Sequence, residues 1–302
     1  MRRYVIILLA VLPLAFFAYK NKGSKPVVDL VFCMDLSNST NGITDIFRDQ
    51  IWSTINNFQN FNPQPRVRIA IVGYGRPDFG GESNYTKILS PFTEDIDQAL
   101  SEIYFIDKST NSSKSVTDVG FQTCLKELDW TTNKNSLRQI FVIGNGPLGS
   151  SAEALVKMVP KAVKKDINVQ LVFLQRDKKM IGYKSWVALA DIAGDSLEVI
   201  NVNNAMTYSP DGGSEEMLTD AGSLLNETYI YYGFSGEMKK SLMEKIDLKS
   251  RETGSRGEKD RILFKTSAMF QGQNHSWDLV DLSKQPYFAV GEIDKRLLPK
   301  EY

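Results

Sequence analysis

The sequence predicts an α/β protein: a Rossmann-like, doubly wound, mostly parallel six-stranded sheet flanked by helices, with a C-terminal extension packed on it. Three observations predict this. Short apolar, β-rich runs alternate with amphipathic stretches of helical period between residues 27 and 202. The runs are continuously apolar, as strands covered on both faces are. Finally, 302 residues exceed one ordinary domain, and the pattern changes near residue 203.

Val27 to Met34 is the first buried strand. Ile43 to Phe58 follows as a helix with Ile43, Ile46, Phe47, Ile51, Ile55 and Phe58 on one face. Val67 to Tyr74 is a second strand and Lys87 to Phe92 a short edge strand. Asp95 to Phe105 and Val119 to Trp130 are predicted helices, Gln139 to Ile143 a strand, and Ala152 to Lys165 a helix despite Pro160. Val169 to Leu174, Ser185 to Ala193 and Leu197 to Val202 complete the alternation as strand, helix and strand. Asn203 to Glu216 is a loop by its Gly, Pro, Asn and Ser content. Beyond it come an aromatic, strand-like Tyr229 to Tyr232 and a charged, mostly helical stretch from Met238 to Phe270, interrupted at Thr253 to Gly257. The expected domains are therefore residues 1–24, 25–205 and 206–302.

Residues 1–24 have a targeting pattern. Arg2 and Arg3 precede an apolar run from Val5 to Ala18, followed by a Lys-rich polar stretch. The run is of signal-peptide length, shorter than the roughly 20 residues of a comfortable membrane span. Phe16 and Phe17 stand where cleavage favours small residues, so a cleaved signal and an uncleaved anchor both remain open. Either places the rest of the chain outside the cytoplasm, with the membrane contacted only through this segment.

Lys plus Arg equals Asp plus Glu at 36 each, so no global field draws the protein to nucleic acid. Cys33 and Cys124 are the only cysteines, too few for a disulfide scaffold or a Cys-rich metal site. Buried free thiols are the favoured reading, with one disulfide open in an oxidising compartment.

In open α/β sheets, ligands sit beyond the carboxyl ends of the strands. The first strand ends in Asp35 and runs into Ser37 and Ser39, giving a carboxylate and two hydroxyls in a tight turn. Hard divalent cations take such oxygen ligands, and a hydroxyl-rich shell neutralises little of the ion's charge. A vacant coordination position then attracts an external carboxylate. Asp-x-Ser-x-Ser alone is weak, because the same residues make ordinary turns and helix caps.

The stretches "DLVFCMDLSNS", "SVTDVGFQTCL" and "RQIFVIGNG" together resemble the von Willebrand factor A (vWA) domain and its metal-ion-dependent adhesion site, over roughly residues 27 to 205. The resemblance implies a site built from Asp35, Ser37 and Ser39, from Thr117 of the family's Thr-x-x-Gly loop, and from Asn145. The last is a departure, since the family usually has Thr-Asp-Gly where this chain has Gly144-Asn145-Gly146. An amide still accepts a hydrogen bond from a metal-bound water but brings no charge, so weaker affinity and a more electrophilic ion are expected. Asp118 is a candidate compensating carboxylate. The implied cofactor is Mg²⁺, or Mn²⁺ or Ca²⁺, and the implied partner is a protein presenting Asp or Glu.

"LLNETYIYYGFSGEM", "SRGEKDRILFKTSAMF" and "SWDLVDL" are similar, less specifically, to the C-terminal extension of certain bacterial secreted or periplasmic A-domain proteins. This implies an extracytoplasmic, bacterial-envelope setting. Tyr229, Tyr231, Tyr232, Trp277 and Leu279 either pack back on the sheet domain or close a core.

An enzyme is not expected. The single histidine, His275 in "GQNHSW", stands near no nucleophile elbow, and "GFSG" lacks the Gly-x-Ser-x-Gly spacing. Phosphoryl transfer through Asp35 needs a second carboxylate two residues on, where Ser37 stands. It is the weaker alternative; the stronger is a metal-free scaffold with a degenerate site. Neither "GYGRPDFGG" nor "GNGPLG" has a nucleotide-binding spacing. Asn38 and Asn274 head glycosylation sequons.

Overall fold

The computed structural model describes residues 25–37, 43–80, 85–106, 115–175, 179–201, 214–252, 255–289, 291 and 293–300. Residues 1–24, Asn38, Ser39 and most of the predicted 203–216 loop lie outside them. The chain forms two compact units, one of residues up to 46 with 61–206, the other of residues 47–60 with 207–302. The sequence reading places 47–60 with the sheet; in the structure they belong to the second unit.

The first unit is built on one six-stranded sheet of β1 (Val27–Asp35), β2 (Arg66–Tyr74), β3 (Thr86–Thr93), β4 (Ser136–Gly144), β5 (Asn168–Gln175) and β6 (Glu198–Asn201). The order is β3-β2-β1-β4-β5-β6, with only the β2–β3 pair antiparallel. This is the expected doubly wound, mostly parallel α/β architecture. β1 lies at the centre and every one of its residues is buried, which is why its sequence is apolar without alternation. Its one charged interior residue, Asp29, is held near the amino end by Arg68 through two bonds of 2.7 and 2.6 Å and by the Thr131 amide at 2.8 Å.

Helices α2 (Ile96–Tyr104), α3 (Thr117–Lys126), α4 (Ser151–Val163) and α5 (Tyr183–Ala193) flank the sheet. Side chains of α3, α4 and α5 join Val31, Cys33, Val72, Val142 and Leu171 in one core. The alternate residues of β1 point the other way, where Phe32 stacks on Phe141 at 5.2 Å. Several bounds differ from expectation: β4 begins at Ser136 instead of Gln139 and α5 at Tyr183 instead of Ser185. β3 is a full eight-residue edge strand. α3 begins at Thr117 instead of Val119 and ends at Lys126 instead of Trp130. There the Trp130 indole turns back to donate to the Cys124 carbonyl at 2.9 Å, capping an acceptor that a longer helix would have used internally.

The second unit contains most of α1 (Ile43–Asn56) with α6 (Ser214–Glu227), α7 (Gly236–Glu252), α8 (Ser255–Lys265), α9 (Ala268–Asn274) and α10 (Leu279–Ser283). Tyr229 contacts Trp277 at 5.8 Å and Phe270 at 6.2 Å, so these aromatics close a core within this unit. The strand predicted at Tyr229 to Tyr232 reduces to a single bridge between Tyr231 and Asp278, because the Ile230 amide is taken by the Asp278 carboxylate at 2.8 Å. Asn274 is buried and accepts from the Trp277 indole at 3.2 Å, so its sequon marks a structural side chain and not a glycan acceptor. His275 follows α9 with Nδ1 2.7 Å from the Gly272 carbonyl oxygen.

The centre of the second unit is charged. Arg261 and Lys265 are each only 1% exposed, and both hold Asp247, at 2.7 and 2.6 Å. The Arg261 guanidinium lies over Trp52 at 4.4 Å and the Lys265 ammonium over Tyr229 at 5.4 Å. Asn226 donates to Asp247 at 3.0 Å and accepts from Lys265.

Candidate functional site

β1 has parallel neighbours on both sides, and the chain leaves β2 and β4 for opposite edges of the sheet. The carboxyl end of β1 is therefore the topological switch point, where diverging loops open a crevice. Asp35 is the last residue of β1, paired in register with Tyr74 of β2 and one residue beyond the Met34–Ile143 pair with β4. The Leu36 amide still donates to the Tyr74 carbonyl at 2.8 Å, so the chain turns only after Asp35 has been delivered.

The Asp35 carboxylate accepts from the Ser37 amide at 2.9 Å, closing a tight turn that buries both side chains. Burial pushes the Asp35 carboxyl up from 3.8 to about 6, and the bonds from the Ser37 amide and hydroxyl pull it back only in part. Such a carboxylate is relieved by a proton or by a cation. Gly75 makes room for it: φ is +87°, and a Cβ there would lie 3.0 Å from Asp35 Oδ1.

Thr117 is buried at the first turn of α3, and a hydrogen bond links it to the Tyr74 phenol. Burial first, then the Asp35 charge, push that phenol well above its usual value, while the Thr117 hydroxyl donates to it and pulls the other way. The phenol in turn donates to the Ile143 carbonyl at 3.2 Å, two residues before Asn145. Tyr74 thus ties together the three segments that carry Asp35, Thr117 and Asn145. Sequence reasoning missed this residue; its signal is its place as the last residue of the strand beside Asp35.

Asn145 is half-buried just past the end of β4. Its loop is fixed by the Trp186 indole donating to the Gly146 carbonyl at 2.9 Å and by the Ser115 hydroxyl donating to the Leu148 carbonyl at 3.0 Å. Asp118 is engaged elsewhere, accepting from the Ser151 hydroxyl at the start of α4. Asp35, Ser37 and Thr117 are thus linked directly or through Tyr74, Asn145 stands on the adjacent loop, and Ser39 lies outside the described residues.

The donor chemistry fits a hard cation. Among the described residues no group of three or more His, Cys, Asp or Glu side chains could hold a metal, so a cation here would rely on hydroxyl and amide oxygens beside one carboxylate. One buried carboxylate beside hydroxyl oxygens suits Mg²⁺ or Mn²⁺.

No family model and no curated protein matches the sequence. Solved structures do. The SpRpn10 VWA domain aligns at 15% identity and a TM-score of 0.39, over 61% of this chain and 96% of that one. The pilus adhesin SpaC from Lactobacillus rhamnosus GG, in an open conformation, aligns at 13% identity and 0.44, over 72% of this chain and 33% of that one. The manganese-loaded Plasmodium vivax TRAP protein aligns at 12% and 0.37, over 60% and 70%. At these values the likenesses add nothing to the fold assignment, which rests on the sheet order and register.

Proposed function

We propose that this is an exported vWA-domain protein that binds a protein partner through a divalent cation at the carboxyl rim of its sheet. The observation that carries the reading is the buried Asp35 carboxylate, set at the switch point in one tight turn with Ser37. Ser37, Ser39 and Thr117 supply direct oxygens to Mg²⁺, or to Mn²⁺ or Ca²⁺; Asp35 and Asn145 hold coordinated water. An Asp or Glu of the partner completes the shell, and the weakly neutralised ion makes that contact strong. Export rests on the N-terminal segment, and adhesion or protein recognition is the role such a site serves. The reading assigns no catalytic residue.

Isothermal titration of Mg²⁺ and Mn²⁺ into the chain from Lys25 onward tests it. Saturable binding is expected, lost in Asp35→Ala and tightened roughly 10-fold or more in Asn145→Asp, where an anionic water-holding group replaces a neutral one. Asn145 itself favours a second reading, a metal-independent scaffold using the same rim. That reading predicts no heat in the parent and binding only in Asn145→Asp.

A further inference from the structure

The two cysteines are far apart in sequence and together in the fold. Cys33 is two residues before Asp35 in β1, and Cys124 lies on α3, one helical turn after Gly120. A Cβ at Gly120 would lie 3.2 Å from Cys33 Sγ and 2.8 Å from the Tyr74 ring, so α3 approaches β1 more closely than any larger residue would allow. On this close face both thiols are free and fully buried in one core, and after burial itself it is Cys33 that pushes the Cys124 thiol up. We infer that Cys33 and Cys124 are a cross-linking site, oxidised to a disulfide that fastens α3 to β1 when the chain folds in an oxidising compartment.

The elements joined carry Thr117 and Asp35, so the bond fixes the spacing of the rim, but the inference stands whether or not a metal binds there. The oxidant is a small-molecule or protein disulfide. One cysteine thiolate attacks it, forming a mixed disulfide and releasing one thiol. The second cysteine then attacks the mixed disulfide, releasing the other thiol and closing the Cys33–Cys124 bond. Two cysteine protons and two electrons leave with the reduced oxidant. Because both sulfurs are buried, the exchange takes place before α3 docks.

The test is refolding of the full chain from urea in buffers of reduced and oxidised glutathione. The expected product carries no free thiol, has lost two hydrogens in mass and yields a Cys33–Cys124 linked peptide. It melts about 5–10 °C above the reduced chain, because the bond closes a loop of roughly 90 residues in the unfolded state. Free thiols at every glutathione ratio, glutathione adducts at both cysteines, or a linked chain that melts below the reduced one would each overturn the inference.

Discussion

Asp35→Asn, measured in EDTA at pH 8, melts several degrees above the parent. In the folded parent the carboxyl titrates at about 6, against 3.8 in the unfolded chain. Above pH 6 it is ionised in both states, and the fold carries the full cost of a buried charge. Between pH 6 and 3.8 the folded state holds a proton that the unfolded state has lost, so this group's contribution to stability improves as pH falls and is flat below. The span corresponds to roughly 3 kcal/mol, of which the amide recovers about 1–3 because its NH₂ must find its own partner. Asn keeps the acceptor for the Ser37 amide. The advantage therefore vanishes near pH 4 and reverses under saturating Mg²⁺, which stabilises only the parent. Melting curves at both pH values, with and without Mg²⁺, check all four corners. A variant that melts below the parent in EDTA at pH 8 would contradict the uncompensated carboxylate.

Asp247→Asn costs about 3–5 kcal/mol, because it removes the carboxylate that both Arg261 and Lys265 hold in the interior. Burial alone would raise the Asp247 carboxyl, but the Arg261 and Lys265 charges and bonds overcome it and hold the value below 3.8. The sign follows: this carboxylate's stabilisation is present above 3.8 and is lost as pH falls through the lowered folded value. Urea unfolding followed by tryptophan fluorescence reads the effect, since Trp52 lies against Arg261. Removing one cation with the carboxylate, as Asp247→Leu with Lys265→Met, leaves one buried cation in place of two and recovers part of the loss; a double variant no better than the single one would mean that packing governs the site.

The sheet was legible because its strands are short apolar runs whose register leaves little choice, and Asp35 was legible because it ends the most apolar of them. The start of α3 was placed two residues late because no side chain of Val116 signals a cap. Trp52 was missed because it falls off the apolar face read for α1, yet it is fully buried and donates to Ser250 at 3.0 Å. Local periodicity finds one face of a helix, and α1 is buried on more than one. The Asp247–Arg261–Lys265 cluster was unreadable for a related reason: its partners stand on different helices, and charged helices are ordinarily solvated. Cys33 and Cys124 likewise gave separate buried thiols in sequence and one neighbouring pair in the fold.

Paramagnetic broadening of amide signals by substoichiometric Mn²⁺ locates the ion without a partner in hand, and so tests the rim most directly. The account predicts loss of signal centred on Asp35, Ser37, Thr117 and Asn145, reversed by EDTA and absent in Asp35→Ala. Broadening centred on the Asp278 and Asp281 carboxylates of the second unit, or none at saturating Mn²⁺, would contradict it.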